Sequence, residues 1–294
     1  MKSIISVFFT TFFLGIGLIS FGQNVQAYAI YNSKGKKVSF EKMLKELAKQ
    51  DIILFGELHN DPIAHWLQLK MTQELHKKGE LSLGAEMLEA DNQDELNQYL
   101  NSEIDYKAFD TLARLWMNHK TDYQPLVEFA KENNLPFIAT NVPRRYASMV
   151  YKKGAESLDS LPENEKRWIA PLPFPFDPEL PGYKAMLEMM GGHAGENFPK
   201  AQAIKDATMA HFIISHYIKN PHLFLHFNGA YHSNNYEGIY WYLNYYARNL
   251  LNNQPLKIGT ISTVLQENVN KLELENKGVA DFILVVDKDM TTTY

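Results

Sequence analysis

A chain of 294 residues in which 45% are hydrophobic and 21% charged is long enough to bury a substantial core within one domain. Its formal charge of -5, with no block of Lys and Arg, excludes a nucleic-acid backbone as partner. The lack of cysteine excludes disulfide staples, thiolate nucleophiles, Cys-ligated zinc or iron–sulfur clusters and a lipid-modified Cys, so ligands must be held by His, Glu, Asp, Tyr or Met.

In chain order, Lys2 and an apolar run from Ile4 to Ile19 lead to Ser20-Phe21-Gly22, with small residues where a cleavage point requires them. Residues 1–22 therefore read as a signal peptide, and 23–294 as one exported domain, periplasmic or associated with the cell envelope. Ala27-Tyr-Ala-Ile-Tyr and Lys37-Val-Ser-Phe flank Asn32-Ser-Lys-Gly35, the pattern of an N-terminal hairpin. A helical period over 41–49 precedes the apolar strand 52–55, and a helix over 62–78 precedes the strand 81–85. Helical stretches near 92–100, 106–118 and 124–133 lead to the strand 137–140. Between Leu161 and Pro181, six prolines forbid regular structure. Trp168, Phe174 and Phe176 make this segment too apolar for a plain linker, so it is a lid, a partner surface or a loop packed on its own domain. A helix at 200–219, the strand 223–227, a helix at 236–251 and strands at 257–261 and 282–286 complete the pattern. Short apolar strands alternating with amphipathic helices predict an α/β fold, a mostly parallel central sheet flanked by helices.

Polar residues collect where these strands end. The first parallel strand runs into Gly56-Glu57-Leu58-His59, the second into Glu86, the third into Asn141-Val-Pro-Arg144-Arg145, and the fourth into Asn228-Gly229-Ala230-Tyr231-His232. In an open parallel sheet the carboxyl ends of the strands share one edge, where ligands bind, so these segments aim at a common cleft. Gly56-x-x-His59 and Gly229-x-x-His232 occupy equivalent positions, each glycine giving a sharp exit and a close backbone approach. Together with Glu57 and Glu86, the two imidazoles form a candidate site for Zn or Mn, unless each His serves only to bond loop backbone. His65 falls on the helix that Asp61 and Pro62 begin, where it faces the cleft or plays a structural part. Arg144 and Arg145 fall in the first turn of a helix, where the dipole disfavours cations; a ligand carboxylate, or Glu57 and Glu86, would resolve the conflict, unless an Arg simply pairs with a protein carboxylate that orders the loop. His193, in Gly191-Gly-His-Ala-Gly, lies on a loop able to close over a ligand. The helical stripe of Tyr236, Ile239, Tyr240 and Leu243 has the spacing of core residues, yet tyrosinate is also an axial ligand for ferric haem.

Gly56-Glu-Leu-His59 with His65, Glu86, Asn141-Val-Pro-Arg144-Arg145, Ala201-Gln-Ala-Ile-Lys-Asp206-Ala-Thr-Met209-Ala210 and Gly229-Ala-Tyr-His232 together resemble the ChaN family of haem-binding uptake proteins. That family lies in the Tiki superfamily, which includes metal-dependent proteases and is similar to erythromycin esterases. The resemblance spans roughly residues 40–290 and implies a ChaN/erythromycin-esterase-like fold, an envelope location and a role in haem and iron uptake. It further implies haem held cofacially in a homodimer, a tyrosine on the iron, His and Lys near the propionates, and envelope uptake machinery as a partner. Tyr231 and Tyr236 are the candidate axial ligands, with His193, Arg144 and His65 as further haem contacts. The alternative is a metal-dependent hydrolase. There His59, His232, Glu57 and Glu86 would hold the ion, with Glu57, Glu86, Arg144 and Arg145 as the catalytic set and Glu57 as base.

Overall fold

The computed structural model describes residues 25–189, 195–251 and 254–294; the segment read as a signal peptide, and His193, lie outside them. The first half contains β1 (Tyr28–Asn32), β2 (Lys37–Val38), α1 (Phe40–Leu47), β3 (Ile52–Glu57), α2 (Pro62–His76) and β4 (Leu81–Glu89). Then come α3 (Gln93–Leu100), α4 (Tyr106–Leu112), α5 (Gln124–Glu132), β5 (Phe137–Asn141), α6 (Arg144–Lys153) and α7 (Glu163–Lys166). The remainder is α8 (Pro181–Met189), α9 (Asn197–Lys219), β6 (Leu223–Gly229), α10 (Ile239–Leu250), β7 (Ile258–Gln266) and β8 (Phe282–Asp287). Local chemistry sets the helix starts: Ser39 caps α1, and Asp61 caps α2 ahead of Pro62.

One 8-stranded sheet has the order β2-β1-β8-β7-β3-β6-β4-β5. From β8 to β5 the neighbours pair in parallel, while the hairpin β1–β2 is antiparallel and β1 joins β8 antiparallel. The fold is thus the expected α/β architecture, with helices on both faces. Every residue of β3 is buried, as a central strand covered on two sides requires. Alternation then sorts its side chains. Ile53 and Phe55 join a core built with α1, α2, α3 and α5, while Ile52 and Leu54 join a second core built with α6, α9 and α10.

Three elements depart from the pattern read in the sequence. Strand β4 continues past Glu86 to Glu89, because its pairing with β5 shifts register between Ala85 and Glu89. The helix expected over 106–118 stops at Leu112, and the chain makes a wide π-type turn at His119–Tyr123 before α5. The Pro-rich segment admits two helices, because Pro162 sits at the cap of α7 and Pro181 at the first position of α8, where a missing N–H costs nothing. Ile169, Ala170 and Phe174 of that segment pack into the second core, and the Tyr242 hydroxyl donates to the Pro175 carbonyl at 2.6 Å. It is therefore a loop packed on its own domain.

Candidate functional site

Strands β3, β6, β4 and β5 are neighbours, so the four polar exits do line one stretch of sheet edge. Within it, side-chain parity sends the two glutamates to opposite faces. Glu57 shares the parity of Ile53 and Phe55 and enters the α2 side, with the residue 1% exposed. Its carboxylate accepts from the Tyr123 hydroxyl at 2.7 Å and the Gln68 amide at 2.5 Å, and pairs with His59 Nδ1 at 2.9 Å. His65 donates through Nε2 to the His59 carbonyl at 3.1 Å and lies 3.5 Å from both Asp122 and Glu57. Asn118 donates to the same carbonyl and to Asp122. His65 is buried in this cage and plays a structural part, supplying one of the partners without which a buried carboxylate is costly.

Glu86 shares the parity of Ser82 and Gly84 and faces α9 instead. It pairs with His232 Nε2 at 3.1 Å and accepts from the Gly229 N–H at 2.7 Å. The other imidazole nitrogen, Nδ1, meets Asp206 of α9 in a short ion pair, and the Tyr183 hydroxyl of α8 donates to the far oxygen of Asp206 at 2.9 Å. Burial opposes the charge on His232, but Glu86 and Asp206 outweigh it and raise the imidazole to about 10. Burial alone would also raise Glu86; the His232 imidazolium, His59 and the Gly229 N–H instead hold it well below the usual carboxylate range. Asp206 goes the other way, raised first by burial, with repulsion from Glu86 adding to it, and only partly relieved by His232 and Tyr183. One cation thus serves two buried carboxylates unequally.

His59 connects the two clusters. A Cβ at Gly229 would fall 2.8 Å from His59 Cε1 and 2.9 Å from Nε2, so the glycine lets the imidazole lie against the β6 backbone beside Glu86. At Gly56 a Cβ would meet the Ile261 carbonyl at 2.8 Å and the Ala230 Cα at 2.9 Å. Both Gly-x-x-His glycines are required for close approach, as their equivalent positions suggested. Burial works against charging His59, yet Glu57 and Glu86 raise its pKa. The ring is packed edge-on by Trp116 at 4.8 Å, its side chain stays 34% exposed, and Met117 beside Trp116 is 89% exposed.

The other expected residues lie apart from these clusters. Arg145 pairs with Asp91 at 2.5 Å and stacks on Tyr146, while Arg144 is exposed; neither is paired with Glu57 or Glu86. The acid that settles the helix-start conflict is Asp91, just beyond the end of the extended β4, which also pairs with Arg114. Tyr231 is half-exposed and donates to the Gly182 carbonyl at 2.7 Å. Tyr236 hydrogen-bonds Asp281 at 3.2 Å, next to β8 and outside the four exits. Reading the sequence missed Tyr123, Gln68, Asp206 and Tyr183 as parts of the site. Only Asp206 had a visible signal, its place in the Ala201–Ala210 motif, though no role was given to it; in the structure it lies between the buried Ile204 and Ala207 of α9. Among the described residues no group of three or more His, Asp or Glu side chains is arranged to hold a metal ion. His232 instead spends both ring nitrogens on Glu86 and Asp206, so the geometry gives the metal alternative no support.

A family model described as "Haem-binding uptake, Tiki superfamily, ChaN" matches residues 43–243. The solved structure described as cofacial heme binding to ChaN of Campylobacter jejuni superposes with a TM-score of 0.64 at 17% identity, over 89% of this chain and 98% of that one. A Bacillus cereus protein of solved structure gives a TM-score of 0.50 at 11% identity, over 89% of this chain and 95% of its own. At such identities these likenesses show the fold. Protein RETICULATA-RELATED 5, chloroplastic, of Arabidopsis thaliana is 27% identical over 146 residues, which are 47% of this chain and 19% of that protein. The chain thus spans about a fifth of the length of that curated relative.

Proposed function

From the premise that this chain belongs to the ChaN family of haem-binding uptake proteins in the Tiki superfamily, we propose that it binds haem at the strand exits of the sheet. The observation that carries this reading is the family match over residues 43–243, which contains every exit described above. The donor chemistry of the edge fits such a ligand. Tyr231 presents a phenol that is 46% exposed, His59 an imidazole oriented by Glu57, and Trp116 and Met117 an apolar margin. Arg144 adds an exposed cation able to meet a propionate.

Bound haem would supply a ferric Lewis acid that one protein donor could hold. Tyr231 is the donor we favour. Burial, together with Glu237 and Asp206, raises its pKa, so the phenol would be protonated in the empty site and would serve as a ligand more readily as pH rises. Tyr236 is set aside because it lies beside Asp281, next to β8 and outside the four strand exits. The same reading includes export directed by the N-terminal segment, pairing of two copies around haem, and delivery to envelope uptake machinery. The hydrolase alternative is not favoured, because Glu57 is held by three side chains and offers no free base.

The test is absorbance titration of purified protein with hemin. A saturable, shifted Soret band is expected, with the ligand-to-iron bands lost in Tyr231→Phe and retained in Tyr236→Phe. An unshifted Soret band at every ratio sinks the proposal.

A further inference from the structure

The first turn of α8 is tied to the strand exits through its own backbone. Gly182 donates its N–H to Glu237 Oε2 at 2.7 Å and accepts the Tyr231 hydroxyl on its carbonyl at 2.7 Å. Tyr231 and Glu237 both lie in the turns that join β6 to α10, so one residue of α8 is gripped from two sides by one short stretch of chain. The grip needs glycine, because a Cβ at position 182 would fall 2.7 Å from Glu237 Oε2.

The surroundings confine what can move. Tyr183, the next residue, is buried, stacks on Phe176 at 5.5 Å and donates to Asp206 at 2.9 Å, which anchors the body of α8. On the other side the chain enters the turn through Pro178, Glu179 and Pro181, all exposed. The Pro181–Gly182 peptide can therefore swing while the helix stays docked. The Tyr231 phenol meanwhile gives its only proton to the Gly182 carbonyl, an arrangement that favours the neutral form. A phenolate in the same place would set two acceptors 2.7 Å apart with no proton between them. A ligand that takes Tyr231 as a phenolate must break this contact.

On the reading of Tyr231 as the axial donor, we propose that Gly182 and Glu237 form a latch that keeps the Tyr231 hydroxyl engaged, and that the first turn of α8 must swing away for ferric iron to be taken. Glu237 acts through Gly182 and opposes capture. The coupling is reciprocal: loosening the turn strengthens capture, and removing the phenol loosens the turn.

Hemin titrations and amide exchange of the haem-free protein test it together. Glu237→Ala should bind hemin about fivefold tighter, the size of one hydrogen bond no longer broken on capture. Glu237→Gln, whose amide oxygen still accepts the Gly182 N–H, should gain clearly less, which separates the latch from the loss of a charge near the phenolate. Iron-free protoporphyrin, which draws no phenolate, should bind both variants as it binds the unsubstituted chain. Without haem, Tyr231→Phe should speed exchange of the Gly182 amide about fivefold and leave the Met186 and Leu187 amides unchanged. For a chain that binds hemin, equal gains in the two Glu237 variants, no gain in either, or the same gain for protoporphyrin would overturn the latch. Unchanged Gly182 exchange in Tyr231→Phe would overturn it whether or not hemin binds. An unshifted Soret band in every variant would sink the haem reading, and iron as the ligand of the freed phenol with it, while faster Gly182 exchange in Tyr231→Phe would still uphold the latch itself.

Discussion

The unequal sharing of His232 between Glu86 and Asp206 makes a sharp forecast. Both carboxylates are buried, at 4% and 1% exposure, and both touch the same imidazole, so a count of ion pairs would rank them equally. Their titration ranks them differently. Glu86 is held below its ordinary range, so its charge contributes stability at neutral pH, and that stability is lost only as pH falls through the lowered folded value. Asp206 is raised above its ordinary 3.8, so its contribution is present below that value and lost as pH rises; at neutral pH its charge is a cost. Glu86→Gln leaves an imidazolium facing a strained aspartate and deprives Gly229 of an ionised acceptor. Removing one partner of a buried pair costs about 3–5 kcal/mol. Asp206→Asn leaves the neutral Glu86–His232 pair, and its side-chain oxygen still accepts from Nδ1, so a change of about 1 kcal/mol or less is expected. For a domain of this size the first corresponds to roughly 10 °C in Tm and the second to about 2–3 °C. Thermal denaturation followed by far-UV circular dichroism at pH 7 measures both. A loss in Asp206→Asn equal to or larger than that in Glu86→Gln would refute the argument.

Other outcomes follow from the same geometry. His119 and His226 are both pushed down to about 4, chiefly by burial, so each contributes stability above its ordinary 6.5 that is lost as pH falls from there through 4, up to roughly 3 kcal/mol apiece. Tm measured from pH 7.5 to 4.5 should drop accordingly, and a flat profile contradicts it. Gly229→Ala forces a Cβ to within 2.9 Å of the His59 ring, with an expected loss of about 1–3 kcal/mol and a displaced imidazole visible as a changed His59 NMR titration. Unchanged stability and an unchanged titration would contradict the close approach. Tyr123→Phe removes one of three partners of the Glu57 carboxylate and should cost about 1–2 kcal/mol in urea denaturation, more than Tyr151→Phe on the exposed side of α6.

The sheet and the polar residues along its edge were legible because their causes are local. Apolar runs such as 52–55 and 223–227 demand burial on two faces, and a glycine at the strand exit demands a close neighbour, which Gly56 and Gly229 both have. The division of the edge into two clusters was present in the period-2 parity of Glu57 with Phe55 and of Glu86 with Gly84, but it shows only once both faces are known to be covered. Tyr123 was hidden for another reason. It sits in a wide turn whose geometry no repeat announces, and only the fold brings it to Glu57. Pairing of Arg145 with a protein carboxylate was one of the readings open in the sequence, but the partner Asp91 was concealed by the register shift that lengthens β4.

The antiparallel seam between β1 and β8 unites segments from opposite ends of the described chain. Such a closure cannot form while a nascent polypeptide is still emerging, since the strand that receives β1 is the last to appear. Until then β1 and β2 remain a lone two-stranded ribbon, too small to persist in water, and the flank of the growing sheet stays open to self-association. Completion of this molecule is therefore a late, all-or-nothing event, and a chain cut short before Phe282 should be recovered as aggregate rather than as a smaller working unit.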